Sequence, residues 1–93
     1  MKLKIFGQQV KVMKAKGLGE QMGWAGCYDK QTNSIWIDSE LVGDEYRETL
    51  IHEFLEAVFC RGSFTQSIEP QAKEIIIDMI AKAFNENFKV IPK

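Results

Sequence analysis

The 93-residue chain predicts an α+β domain in which a small antiparallel β-sheet, built from two hairpins, is followed by two helices packed on one face of it. Three observations predict this. Apolar and polar residues alternate at two places before residue 39, each time around a short turn. From about residue 44 the apolar residues take up helical spacing. The helical region then divides between Gly62, which suits a helix end, and Pro70, which suits a first turn.

Leu3 and Ile5, then Val10 and Val12, alternate with polar partners around Gly7-Gln8-Gln9, which predicts the first hairpin with glycine at its turn. Lys2, Lys4, Lys11, Lys14 and Lys16 alternate with apolar residues and form the wet side of a half-exposed sheet. Gly17, Gly19, Gly23 and Gly26 fall in a stretch of little periodicity that predicts a loop, with Trp24 anchoring it to the body. Cys27-Tyr28-Asp29 and Ser34 to Asp38 flank Lys30 to Asn33 as a second hairpin, with Ile35 and Ile37 on one side and Trp36 on the other.

The first helix is expected from about Asp44 to Cys60, started by Gly43 or Asp44 and closed by Arg61-Gly62. Glu45 and Glu48 suit its positive N-terminal end. Ser67-Ile68-Glu69-Pro70 opens a second helix that continues to about Asn87, and Phe88 to Pro92 reads as a short strand or an ordered tail. No internal repeat or low-complexity tract interrupts the chain, so residues 1–93 form a single domain.

Composition narrows the function. A net charge of −1 supplies no basic footprint for nucleic acid or an anionic membrane. The longest strongly apolar run, Ile75 to Ile77, is far short of the ~20 residues of a membrane span. The alternating pattern after Met1-Lys2 is not a secretory core. Cys27 and Cys60 make no CxxC pair and no disulfide framework, which points to a reduced, cytoplasmic setting.

The chemistry concentrates in TLIHEFLEAVF, residues 49–59. His52 is the only histidine in the chain. On a helix, His52 and Glu56 lie one above the other and can converge on a single ion. Glu53 lies about 60° to the side of Glu56, placed to reach a water at that ion. On a helical wheel Leu50, Ile51, Phe54, Leu55, Ala57, Val58 and Phe59 fill the face to be buried, while His52, Glu53, Glu56 and Cys60 share the other. The layout is that of an HExxH zinc site with Glu in place of the second His.

This segment resembles the active-site helix of zincin-type metallopeptidases, and most closely a group of small phage-borne zincin-like proteins. Gly26 to Asp38 (GCYDKQTNSIWID) and Glu48 to Val58 resemble that group's hairpin and helix blocks, so the similarity spans most of the chain. The resemblance implies a minimal zincin-like domain, with His52 and Glu56 as zinc ligands and Glu53 as the general base that activates water. It also implies a host-cell cytoplasmic location and a peptide or protein substrate, or, for a non-catalytic member, a host or viral protein partner. Catalytic zinc usually takes a third protein ligand. Here Glu69 and Asp78 are the candidates; Asp78 shares its helix face with Gln71, Glu74, Lys82 and Asn85, opposite the apolar arc of Ile75, Ile76, Met79, Ile80, Ala83 and Phe84. Cys60 is too far along the helix axis to share an ion with His52.

Three further features have ordinary readings. A Cys/His nucleophile would need an adjoining oxyanion-forming turn, and neither Cys27 nor Cys60 has one. Asp38 suits the turn leading into the first helix, or a hydrogen bond to the far nitrogen of His52. Trp24, Trp36, Phe54 and Phe59 read as core.

Overall fold

The most apolar strand takes an interior place in the sheet, and the topology follows from that. The computed structural model describes residues 2–62 and 68–87. In chain order the elements are β1 (Lys2–Ile5), β2 (Gln8–Ala15), α1 (Leu18–Met22), β3 (Gly26–Asp29), β4 (Ser34–Asp38), α2 (Gly43–Arg61) and α3 (Pro70–Asn87). The strands lie in the order β1-β2-β4-β3. The expected α+β architecture is present; the tail from Phe88 and the residue Ser67 lie outside the described residues.

Both expected hairpins form. β1 and β2 are antiparallel with Leu3 opposite Val10, and their turn places Phe6 and Gly7 at φ 51° and 83°, the left-handed pair that a tight hairpin requires. β3 and β4 are antiparallel with Cys27 opposite Trp36. The two hairpins meet in parallel, Val12 beside Ile35, so the sheet is mixed rather than wholly antiparallel. The reason lies in the connection. β2 ends beside Asp38, and β3 begins at Gly26 opposite Ile37, at the same end of the sheet. β3 therefore runs antiparallel to β2 one strand further out. β4 fills the gap between them, where Ile35 and Ile37 are fully buried. Asn33 secures the entry: its side-chain amide donates to the Gln9 carbonyl at 2.7 Å, and Tyr28 Oη donates to its Oδ1 at 2.8 Å.

The stretch read as a loop contains the short helix α1. Gly17 and Gly23 flank it at φ 78° and 72°, giving the sharp entry and exit that residues with a Cβ resist. Asp38 holds it in place: its carboxylate accepts the Gly19 N–H and the Glu40 N–H, both at 3.0 Å. Asp38 thus performs the turn chemistry expected of it and ties α1 to the approach to α2. Trp24 does not anchor the segment by burial, for it is 49% exposed.

α2 lies on the sheet. Tyr46, Leu50 and Ala57 meet Ile5, Val10, Ile35 and Ile37 in one buried cluster. Full burial of a side chain such as Leu50 contributes about 1.5–3 kcal/mol. α3 packs chiefly against α2 rather than sharing the sheet face. Its buried residues are Ile77, Ala81 and Asn85, spaced by four on one stripe. The apolar arc expected to be buried is instead largely exposed, with Ile75 at 60% and Met79 at 66%. The sheet face is already covered by α2, and a helix in the next layer has only one narrow stripe to bury.

Candidate metal site

Glu53 is the residue that the helical wheel misplaced. It is 8% exposed, on the sheet side of α2, not on the solvated arc with His52, Glu56 and Cys60. Leu50, Glu53 and Ala57 are spaced by three and four, so they share one row of the helix. Gly26 makes room for it: a Cβ there would stand 3.2 Å from Glu53 Cγ, 3.0 Å from Thr49 Cγ2 and 2.9 Å from the Trp36 carbonyl oxygen. The absence of a side chain on β3 is what admits a carboxylate beneath the sheet edge.

His52 stands beside Glu53 at the boundary between α2 and α3, with its side chain 24% exposed. Glu53 Oε2 is 3.4 Å from Nδ1. On the other side of the ring, Nε2 is 3.2 Å from Asp78 Oδ1 and 3.6 Å from Glu74 Oε1. One turn further along α2, Glu56 Oε1 is 3.0 Å from Lys73 Nζ, which also lies 3.7 Å from Glu74 Oε2. Donor atoms of His52, Glu56 and Glu74 all fall within 4.8 Å of one another, and this group could hold a metal ion.

Of the four residues predicted as ligands, His52 and Glu56 are brought together as expected. Asp78 reaches the same place by contacting His52 Nε2. Glu69 does not join the group: it is exposed just before α3, and among the described residues its carboxylate is not in the converging set. Glu74 takes that position, and it was missed as a ligand. A usable signal was present. His52 and Glu56 are four residues apart on α2 and Glu74 and Asp78 four apart on α3, and the contacts of His52 with Asp78 and of Glu56 with Lys73 show the two helices running antiparallel. Each pair therefore lies on one helix face, and the two faces meet.

Four carboxyl groups (Glu53, Glu56, Glu74, Asp78) surround one imidazole and one ammonium, an excess of acid that a divalent cation would balance. The pKa values register the crowding. A hydrogen bond to Glu53 lifts His52 above its ordinary value; burial opposes the rise, and the charges of Glu53, Asp78 and Glu56 add to it. Burial acts to raise Glu56, but hydrogen bonds with Glu74 and Lys73, and the charges of Lys73 and His52, hold it below its usual value. Glu74 is raised, chiefly by its hydrogen bond to Glu56, with burial and the charge of Glu56 adding to the rise.

A pH dependence follows for the metal-free protein. Because the folded-state pKa of His52 is raised, its charged form stabilises the fold. That contribution is complete below about pH 6.5, the unfolded value, and is lost as pH rises through the folded value. In chelator, the stability difference between wild type and His52→Gln is expected to shrink as pH rises above about 6.5. In zinc the trend is expected to reverse, because a metal requires the neutral imidazole. Denaturant melts across pH in both conditions check this; a difference independent of pH in chelator would show that His52 makes no favourable ion pair.

Two clefts flank the cluster. One, of about 330 Å³, is bordered by Trp24, Gly26, Thr49, His52, Glu53 and Asp78. The other, of about 390 Å³, runs along β3 to Cys27, Glu56, Cys60 and Lys73. Glu53 lines both. Both cysteines are free. Burial pushes the Cys27 thiol up, with the charges of Glu53 and Asp29 adding to it, the reverse of what a thiolate nucleophile needs.

No described helix is long and apolar enough to cross a membrane. Compared with protein-family models, curated proteins and solved structures, the chain has no significant match.

Proposed function

We propose that the protein is a small zinc-dependent hydrolase acting on peptides. The observation that carries this reading is the convergence of His52 and Glu56 of α2 with Glu74 of α3, with His52 lining one cleft and Glu56 the other. One imidazole and two carboxylates are a donor set that zinc accepts, with room for a water. Zinc held there would supply a Lewis acid and lower the pKa of water.

The chain's own residues divide the remaining work. Glu53 accepts a hydrogen bond from His52 Nδ1–H, which fixes the tautomer with Nε2 turned toward α3. Because Glu53 also lines the cleft, it is the residue assigned to take a proton from the attacking water. Asp78, on the same nitrogen as Glu74, is a reserve ligand or a partner that steers the ring. A peptide is favoured as substrate because β3 is an edge strand beside both clefts, and an edge strand can add an extended chain by backbone hydrogen bonds.

The test is incubation of the zinc-loaded protein with a diverse peptide mixture, read by mass spectrometry. Cleavage that requires zinc is expected. No cleavage with zinc or any other divalent ion would remove the hydrolase reading. A second reading would then gain weight: a non-catalytic protein that docks a host or viral protein. It is favoured by the outer face of α3, where Ala72, Ile75, Ile76, Met79 and Ala83 are all exposed at helical spacing, the pattern that receives a partner helix.

A further inference from the structure

We propose that Lys73 is a tethered cation that competes with a divalent metal for Glu56 and Glu74, and so sets how tightly the site binds metal. The inference rests on the metal-binding reading above and adds a residue that reading does not use. Two of the three donors that converge are the carboxylates that Lys73 contacts, at 3.0 Å to Glu56 Oε1 and 3.7 Å to Glu74 Oε2. Lys73 is also the sheltered partner. Its side chain and that of Glu56 are about 20% exposed, whereas Glu74 and Asp78 lie near half exposed.

The geometry of α3 makes this contact intrinsic. Lys73 and Glu74 are neighbours in sequence, about 100° apart on the helix, so the turn that brings Glu74 to Glu56 brings the ammonium with it. A bound dication would meet a like charge a few ångströms away, and would have to break the Lys73–Glu56 pair to use that oxygen fully. Both effects weaken metal binding. Removing the ammonium also leaves Glu56 and Glu74 facing one another with one counter-charge fewer, and metal then relieves that repulsion. The site of the wild-type chain is thus tuned to moderate affinity, with metal exchange open to changes in free metal concentration.

The experiment is calorimetric titration of zinc chloride into wild type, Lys73→Met, Lys73→Arg and Lys82→Met. Met keeps the length of the stem and loses the charge; Arg keeps the charge. Lys82 is an exposed lysine of the same helix and controls for net charge. Lys73→Met is expected to bind zinc between roughly three- and thirtyfold more tightly than wild type, the range of a partly sheltered ion pair with its repulsion added. Lys73→Arg and Lys82→Met are expected to stay within about twofold of wild type. Equal or weaker binding by Lys73→Met, with wild type binding well, would overturn the role of Lys73 and leave the metal site standing. Equal tightening by Lys82→Met would also overturn it, as an effect of overall charge. Absence of zinc binding in both wild type and Lys73→Met would overturn the metal reading itself and this inference with it. Thermal melts of all four proteins in chelator confirm that each is folded.

Discussion

Zinc is expected to raise the melting temperature of the wild-type protein by about 10–20 °C when present at a hundredfold excess over Kd. A ligand that binds only the folded state stabilises it by RT times the logarithm of one plus the ratio of ligand to Kd, about 2.7 kcal/mol at that excess. In a domain of this size each kcal/mol moves the midpoint by roughly 4–8 °C. The double variant His52→Ala/Glu56→Ala is expected to melt at one temperature with zinc and with chelator. If the cluster were only an ion-pair network joining α2 to α3, its pairs would contribute about 0.2–1 kcal/mol each, and zinc would add nothing. A wild type that melts identically in zinc and in chelator, after confirmed metal removal, supports that network and the docking reading.

The second large effect is on turnover. Glu53→Gln is expected to keep zinc affinity and fold while lowering peptide hydrolysis by about 10²–10⁴-fold, the usual weight of a positioned general base. The amide oxygen of Gln can still accept from His52 Nδ1–H, so the imidazole should hold its orientation. Gln cannot take a proton from water. Kinetics of zinc-loaded wild type and variant, with zinc content measured on the same samples, separate the two roles. Retained hydrolysis would restrict Glu53 to orienting His52; lost zinc would show that Glu53 takes part in metal binding.

How much was legible in the chain depended on the range of the interaction that decides each feature. The hairpins were readable because alternation, Gly7 and the Lys30–Asn33 turn are local, and α2 was readable from its periodicity to within a residue. The parallel junction was not, because the insertion of β4 between β2 and β3 is decided by burial of Ile35 and Ile37 against α2. The same limit rotated α3: its apolar arc is wide, and only the layer above α2 selects Ile77, Ala81 and Asn85 as the inward stripe.

At the site, His52 and Glu56 were legible as a pair on one helix face. The wheel groups Glu53 with His52, Glu56 and Cys60, although its spacing from Leu50 and Ala57 also puts it in their row, and the space under Gly26 that decides between the two belongs to another element. Glu74 and Lys73 depended on the register between two helices, which no single-helix wheel contains.

The central claim, that His52, Glu56 and Glu74 together hold one divalent ion, meets its most direct test in elemental analysis. Wild type, His52→Ala, Glu56→Ala and Glu74→Ala would be purified without a polyhistidine tag, equilibrated by dialysis against the same small excess of zinc, and assayed for bound zinc per chain. Near-stoichiometric zinc in wild type and most of it lost in each variant is the predicted result. Equal zinc in wild type and His52→Ala would contradict the account.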